Sequence, residues 1–347
     1  MSLINDDPRI DPRIKAIFGA LPLPTSASAA SREALLAAAA TPEAVAGREF
    51  LKAFLDGADT EELVTSEGLT VTEHRIPSAP DGNTINLRVV RPEGDETLPC
   101  VYYIHGGGMQ AMSCYDGNYR AWARFIAHQG VAVVMVDFRN ALTPSSVPEV
   151  APFPAGLNDC VSGVKWVAEH AAELNVDASR ILVAGESGGG NLTLATGMKL
   201  LRDGDIGLVC GLYALCPYIA GAWPDERYPS SVENNGILLD LHDTNGAMAY
   251  GMEAFERGDP LAWPGFAGED DVRGLPPVVV SVNECDPLRD EGIAFYRLLL
   301  RAGVPAQART VLGTIHGTEI FPMACPDVSR ETACSIADFC RGTTRPA

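Results

Sequence analysis

From Leu69 to Arg91 apolar residues tend to alternate with polar ones, in LTVTEHRIPS and again in TINLRVVRP, on either side of a polar Asp81-Gly82 turn. A period of two interrupted by such a turn predicts an antiparallel hairpin or meander. The pattern then changes to short β-rich runs at 101–104 (VYYI), 131–138 (VAVVMVDF), 180–186 (RILVAGE), 208–215 (LVCGLYAL), 277–284 (PVVVSVNE) and 308–313 (ARTVLG), spaced by helix-length segments. Apolar runs buried on both faces and joined by helices predict an α/β fold, with a mostly parallel central sheet and helices on each side. Gly303, just after IAFYRLLLRA, fits a left-handed helix end.

Ahead of the hairpin the chain is rich in Ala and Pro, and two helices are expected, over 31–40 and 42–55. Phe50, Phe54 and Leu55 are expected to share an apolar face of the second. The stretch 217–276 breaks the alternation of strand and helix and is rich in Trp, Tyr, Pro, Gly and acidic residues. Insertions of that kind build lids or binding loops. The expected organisation is an N-terminal helical cap region over 1–68 and an α/β domain over 69–347, with 217–276 containing a cap or binding insertion.

Composition narrows the class without changing the fold. The chain has 347 residues, 46% of them hydrophobic and 20% charged, within the globular range. Acidic residues outnumber basic ones 45 to 26, for a net charge of -19, and such a surface repels nucleic acids and anionic membranes. The nine cysteines show neither CxxC spacing nor a neighbouring His cluster, so neither a disulfide framework nor a zinc site is expected. Asp and Arg interrupt the N-terminal stretch where a secretory signal needs an apolar run, and no run reaches spanning length. The expected setting is the cytoplasm, with no membrane and no nucleic-acid partner.

The chemistry-bearing signal is Gly185-Glu186-Ser187-Gly188-Gly189, a G-x-S-x-G between the strand run RILVAGE and the helical NLTLATGMKLL. That context fits a nucleophile elbow, in which a sharp strand-to-helix turn exposes the Ser hydroxyl and the N–H of the next residue, Gly188, faces the developing oxyanion. The segment lacks both the lysine of a phosphate loop and the spacing of a dinucleotide fingerprint. His105-Gly106-Gly107-Gly108 follows the run VYYI, and consecutive glycines let backbone N–H groups converge on an anion.

A Ser hydroxyl needs an imidazole to take its proton and a carboxylate to orient that imidazole, in the chain order Ser, acid, His. Only His242 and His316 follow Ser187; His316 lies on a loop past a strand run, His242 in the irregular insertion. Asp286 ends the run PVVVSVNEC and precedes Pro287, which places it at the carboxyl edge where ligands gather in open α/β sheets. Glu284, Asp290 and Glu291 compete nearby, the last two at the opening turn of the next helix, where carboxylates are favoured for structural reasons.

Together HGGG, GESGG and the strand-end Asp286 and His316 resemble the hormone-sensitive lipase group of α/β-hydrolases, over roughly residues 95 to 320. Within it VVMVDFRNA, GESGGGN, DPLAWP and NECDPLRDEGIAF look most like a bacterial lactone-cleaving carboxylesterase. The resemblance implies Ser187 as nucleophile, His316 as base, Asp286 as orienting acid, and the N–H groups of Gly107, Gly108 and Gly188 as oxyanion donors. Met109 stands where many members carry an aromatic residue, so the pocket shape is where departure is expected.

The implied reaction is ester hydrolysis through an acyl-enzyme, with neither cofactor nor metal, on small to medium uncharged esters; lactones are chemically equivalent. An amide hydrolase and a non-catalytic small-molecule receptor on the same fold are the alternatives. The receptors of the group lack the catalytic His, and amides need strong leaving-group protonation for which no extra acid is visible. The resemblance is also compatible with a homodimer.

Overall fold

The strands pair in the order β1-β2-β4-β3-β5-β6-β7-β8 in a computed structural model that describes residues 3–21 and 28–343. They are β1 (Leu69–Pro77), β2 (Thr84–Pro92), β3 (Leu98–Ile104), β4 (Ala132–Asp137), β5 (Val176–Glu186), β6 (Gly211–Leu215), β7 (Val278–Asn283) and β8 (Ala306–Val311). β1 and β2 pair antiparallel, with Ile76 opposite Ile85, and β2 runs antiparallel to β4. Every later pairing is parallel. The alternating hairpin and the α/β fold therefore stand as the hydrophobic pattern implied.

Strand periodicity sorts side chains to the two faces. Cys100, Tyr102 and Ile104 of β3, Val134 and Val136 of β4, and Ile181 and Val183 of β5 join one core, with helices Ala155–Glu169, Gly188–Asp203 and Arg289–Arg301. Val101, Tyr103, Val133, Met135, Leu182 and Ala184 join the other, with helices Gly117–Ala127 and Pro326–Gly342. Each fully buried Val, Leu or Ile contributes roughly 1.5–3 kcal/mol. This double burial fixes the carboxyl ends of β3, β5 and β7 along one edge, and β8 joins them by its parallel pairing with β7.

The N-terminal helices end as their sequence directs. Arg32–Ala39 is capped by Ser31, whose side chain accepts from the Ala34 N–H, and Pro42–Asp56 by Thr41, which accepts from the Ala44 N–H, with Pro42 in the first turn. The second helix buries only Leu55, however; Phe54 is half-buried, and Phe50 is 62% exposed. Five residues on a helix turn 140° at about 3.6 residues per turn, so Phe50 and Leu55 cannot share a face. The Trp and Tyr residues of 217–276 also turn inward: Tyr218 stacks on Trp223 at 4.6 Å, and Trp263 meets Tyr218, Trp223 and Tyr250 edge-on. They join the core on one face of the sheet, while Leu238, Leu239 and Leu241 line the cavity at its edge.

A third core lies at the site end, where Ile10, Ile14 and Phe18 pack with Cys285, Ile315 and Cys325. Phe18 meets Phe321 at 5.1 Å and Phe54 at 6.1 Å between ring centroids. Residues 1–2, 22–27 and 344–347 of the expected cap and α/β regions lie outside the described residues.

Candidate active site

Ser187 occupies the sharp turn between β5 and the helix Gly188–Asp203, with φ 56° and ψ -120°. A non-glycine residue at such angles is strained, and surrounding bonds must hold it there. Its N–H donates to Leu215 O at 3.0 Å, and its carbonyl accepts from the Asn191 and Tyr218 N–H groups, both at 3.0 Å. Glycines are required around it: a Cβ on Gly185 would come within 2.5 Å of Ile104 O, and one on Gly189 within 2.0 Å of the same atom. Ser187 itself is half-buried and lines a cavity of about 340 Å³.

The glycines after β3 come to the same place. Gly107 and Gly108 line the cavity at φ 89° and 64°. Among the described residues their N–H groups take no part in the loop's hydrogen bonds. A Cβ on Gly188 would lie 2.5 Å from Met109 N and 2.7 Å from Gly108 N, so the elbow and the glycine loop meet backbone to backbone. Those amides, with the following helix's N-terminus, suit a developing negative charge. His105 faces away, fully buried and stacked on Phe138 at 4.3 Å, where burial lowers its pKa.

Asp286 and His316 meet from the loops after β7 and β8. His316 Nδ1 lies 2.8 Å from Asp286 Oδ2, and Asp286 Oδ1 accepts the Leu288 N–H at 2.9 Å. Because a carboxylate only accepts, Nδ1–H donates and Nε2 is the ring nitrogen with the lone pair; His316 lines the cavity together with Ser187. Burial opposes charge on the imidazole, but the facing Asp286, with Cys216 beside the ring, outweighs it, so the His316 pKa lies well above its usual value. That is the electrostatics of a base whose protonated form is stabilised.

The competing groups are engaged elsewhere. Glu284 accepts the Gly313 N–H at 2.7 Å, and Asp290 accepts the Ser230 N–H at 2.8 Å and the Arg289 guanidinium at 2.9 Å. Glu291 is buried and accepts from the Ile219 and Ala220 N–H groups and Trp223 Nε1. Burial pushes its carboxyl up to about 8, against those three donors. His242 is exposed, with Nε2 2.9 Å from Ser231 O.

Three features escaped the sequence reading. Glu186, a mere spacer in the motif, is buried: Oε1 accepts the Gly106 N–H at 2.7 Å and Tyr119 OH at 2.6 Å, and Oε2 accepts Tyr103 OH at 2.6 Å. Burial raises its pKa to about 7, with the two tyrosines opposing. A carboxylate ending an otherwise apolar strand was the available signal. Cys216, at the end of β6, offers a sulfur that, with Asp286 and His316, forms the one grouping among the described residues able to hold a metal ion, ligand atoms lying within 4.8 Å of one another. An ion there would displace the Asp286–His316 bond. Met109, where a departure in pocket shape was expected, is buried and does not line the cavity; Gln110 and Met112 do.

The cavity is closed by Phe18, Leu21, Leu51, Phe54 and Leu55 from the N-terminal segment and by Leu238, Leu239 and Leu241 from the insertion. Among the described residues no helix is long and apolar enough to cross a membrane.

Residues 101–320 match the family profile described as the alpha/beta hydrolase fold. Over 282 residues the chain is 34% identical to carboxylesterase NlhH of Mycobacterium tuberculosis, covering 80% of each protein. The solved structure of esterase Est22 superposes with a TM-score of 0.96 at 66% identity, covering 98% of this chain and 99% of that one. Brefeldin A esterase, a bacterial homologue of human hormone sensitive lipase, superposes with a TM-score of 0.86 at 38% identity, over 97% of this chain and 94% of that one.

Proposed function

The chain belongs to the alpha/beta hydrolases related to hormone-sensitive lipase and is a carboxylesterase, and from that premise we propose that it hydrolyses small to medium uncharged esters through an acyl-enzyme on Ser187. The observation that carries the proposal is the convergence of three loops on one cavity. Ser187 is held at φ 56°, Gly107 and Gly108 present N–H groups unengaged among the described residues, and His316 is bonded at 2.8 Å to the buried Asp286.

In the proposed sequence, His316 Nε2 takes the Ser187 proton as Oγ attacks the ester carbonyl. The oxyanion is held by the N–H groups of Gly107, Gly108 and Gly188. His316, now an imidazolium stabilised by Asp286, returns the proton to the departing alkoxide, leaving an ester on Ser187. Water, deprotonated by the same imidazole, then releases the acid and restores the enzyme. Each loss of one oxyanion donor costs on the order of a hundredfold or more in rate.

The apolar lining of the cavity supports an uncharged substrate. Lactones belong in the same class, and the similarity to brefeldin A esterase favours testing them. Residues 1–68 and part of 217–276 are proposed to act as a cap, because their side chains close the cavity over Ser187. Nine cysteines without a disulfide support a reducing, cytoplasmic setting. A homodimer is proposed on family resemblance and is read by light scattering.

The test is chemical. Mixing enzyme with excess p-nitrophenyl acetate should release a burst of p-nitrophenol stoichiometric with sites, and mass spectrometry of the quenched enzyme should find the acetyl group on Ser187. Undiminished turnover in Ser187→Ala would defeat the assignment.

A further inference from the structure

The site cavity ends at Leu51, Leu55 and Met112, and the same three side chains form the wall of a second cavity of about 410 Å³. This second chamber lies between the helix Pro42–Asp56 and the loops 111–116 and 143–146. Taken alone, the chamber at Ser187 is near the lower end of the range for small-molecule sites, roughly 300–1,000 Å³. Joined, the two reach the middle of it.

The wall is partly open to solvent. The helix Pro42–Asp56 leaves Leu51 44% exposed and Val45 37% exposed, both lining the second chamber, whereas amphipathic helices ordinarily turn such residues into a core. These side chains border a hollow. Met112 completes the partition from the opposite side at φ 74°. Its Cγ lies 3.0 Å from where a Cβ on Gly107 would sit, and its sulfur is 4.0 Å from Tyr119 OH. Met112 therefore stands between the oxyanion loop and the chamber, and an unbranched thioether with three rotatable bonds adapts to what passes it.

The charges at the chamber argue for a neutral occupant. Arg48 donates to Ala39 O at 2.7 Å and Lys52 pairs with Asp56 at 2.7 Å, and Glu49 and Asp116 carry the opposite sign on the same lining. Two basic and two acidic side chains line the chamber, so their formal charges balance and no net field selects a charged end group.

We propose that the second chamber is a distal subsite for the longer arm of a neutral ester, and that Met112 sets how far that arm reaches. The proposal rests on the esterase reading at Ser187. The arm is apolar where it crosses Leu51, Leu55 and Met112, and it is either the acyl chain or the alkoxy chain.

The experiment measures kcat/KM over two series, p-nitrophenyl esters from acetyl to dodecanoyl and alkyl acetates from ethyl to dodecyl. Val45→Trp fills the chamber from an exposed helix position, and Met112→Ala opens the wall. Val45→Trp should leave the acetyl and ethyl esters, which stop short of the chamber, within about twofold while cutting the longest accepted esters of one series about tenfold or more. Met112→Ala should move the optimum toward longer chains in that series, which also tells acyl from alkoxy. Equal effects of Val45→Trp at every length in both series overturn the subsite, and an unchanged optimum in Met112→Ala overturns the role of that side chain. Failure of the esterase reading looks different: the shortest esters would then survive Ser187→Ala.

Discussion

Glu186 Oε1 accepts the Gly106 N–H at 2.7 Å, which ties the residue before Ser187 to the glycine before Gly107 and Gly108. The proposed nucleophile and oxyanion donors are thereby set against each other by one carboxylate, to which Tyr103 and Tyr119 also donate. Glu186→Gln keeps the shape but presents an NH₂ where donors converge, so at least one of them loses its acceptor. We expect kcat to fall about tenfold or more with KM little changed, since only the transition-state donors are displaced. A rise in KM at constant kcat would contradict this.

Under the proposed mechanism, Asp286 and Asp290 separate catalysis from stability. Asp286→Asn should stay folded and lose on the order of ten-thousandfold in turnover, because the orienting acceptor of His316 Nδ1–H is removed. Asp290→Asn loses its charged contacts with Ser230 and Arg289, costing about 1 kcal/mol of stability, and keeps most of its activity. Paired measurements of kcat and urea midpoint check both; the reverse outcome would transfer the acid's role to Asp290.

What the sequence disclosed here is what local backbone geometry requires. GESGG and HGGG are legible because a tight turn and a bare N–H surface demand glycine within a few residues. Asp286 and His316 are legible because they closely follow strand runs. Glu186 and Cys216 become meaningful only once β5 lies between β3 and β6, information carried by pairing rather than by spacing. The N-terminal helices are visible from their periodicity, but the expected shared face of Phe50 and Leu55 is not found because Phe50 stays exposed, and the aromatics of 217–276 pack into the core, a placement that composition alone does not carry.

Gly188→Ala tests the meeting of elbow and loop. The added methyl would stand 2.5 Å from Met109 N and 2.7 Å from Gly108 N, both backbone atoms that cannot rotate aside. Alanine suits the helix that begins there, so the fold should survive while kcat drops on the order of a hundredfold or more. Circular dichroism and initial rates distinguish this from unfolding.

Glu291 predicts a pH dependence of stability. Its carboxyl, at about 8 in the folded protein against 4.5 ordinarily, binds its proton more tightly when folded. The stabilisation is full below pH 4.5 and is lost as pH rises toward 8, amounting to roughly 3 kcal/mol by about pH 7. Glu291→Gln removes that slope. The variant should be less stable than the parent near about pH 5, and the gap should shrink by about pH 8; chemical denaturation at both values reads it, and a gap that widens with pH refutes the assignment.

The contact of Phe18 with Phe321 sets an order of events during synthesis. One wall of the cavity is made long before its counterpart, which emerges beside His316. Until the ribosome has delivered the segment after β8, Ile14 and Phe18 have nothing of their native core around Ile315 and Cys325 to pack against. Nascent chains held on the ribosome short of residue 316 should therefore show no hydrolysis, however completely the earlier strands have paired, and the greasy N-terminal segment is a surface for chaperones to shield during that interval.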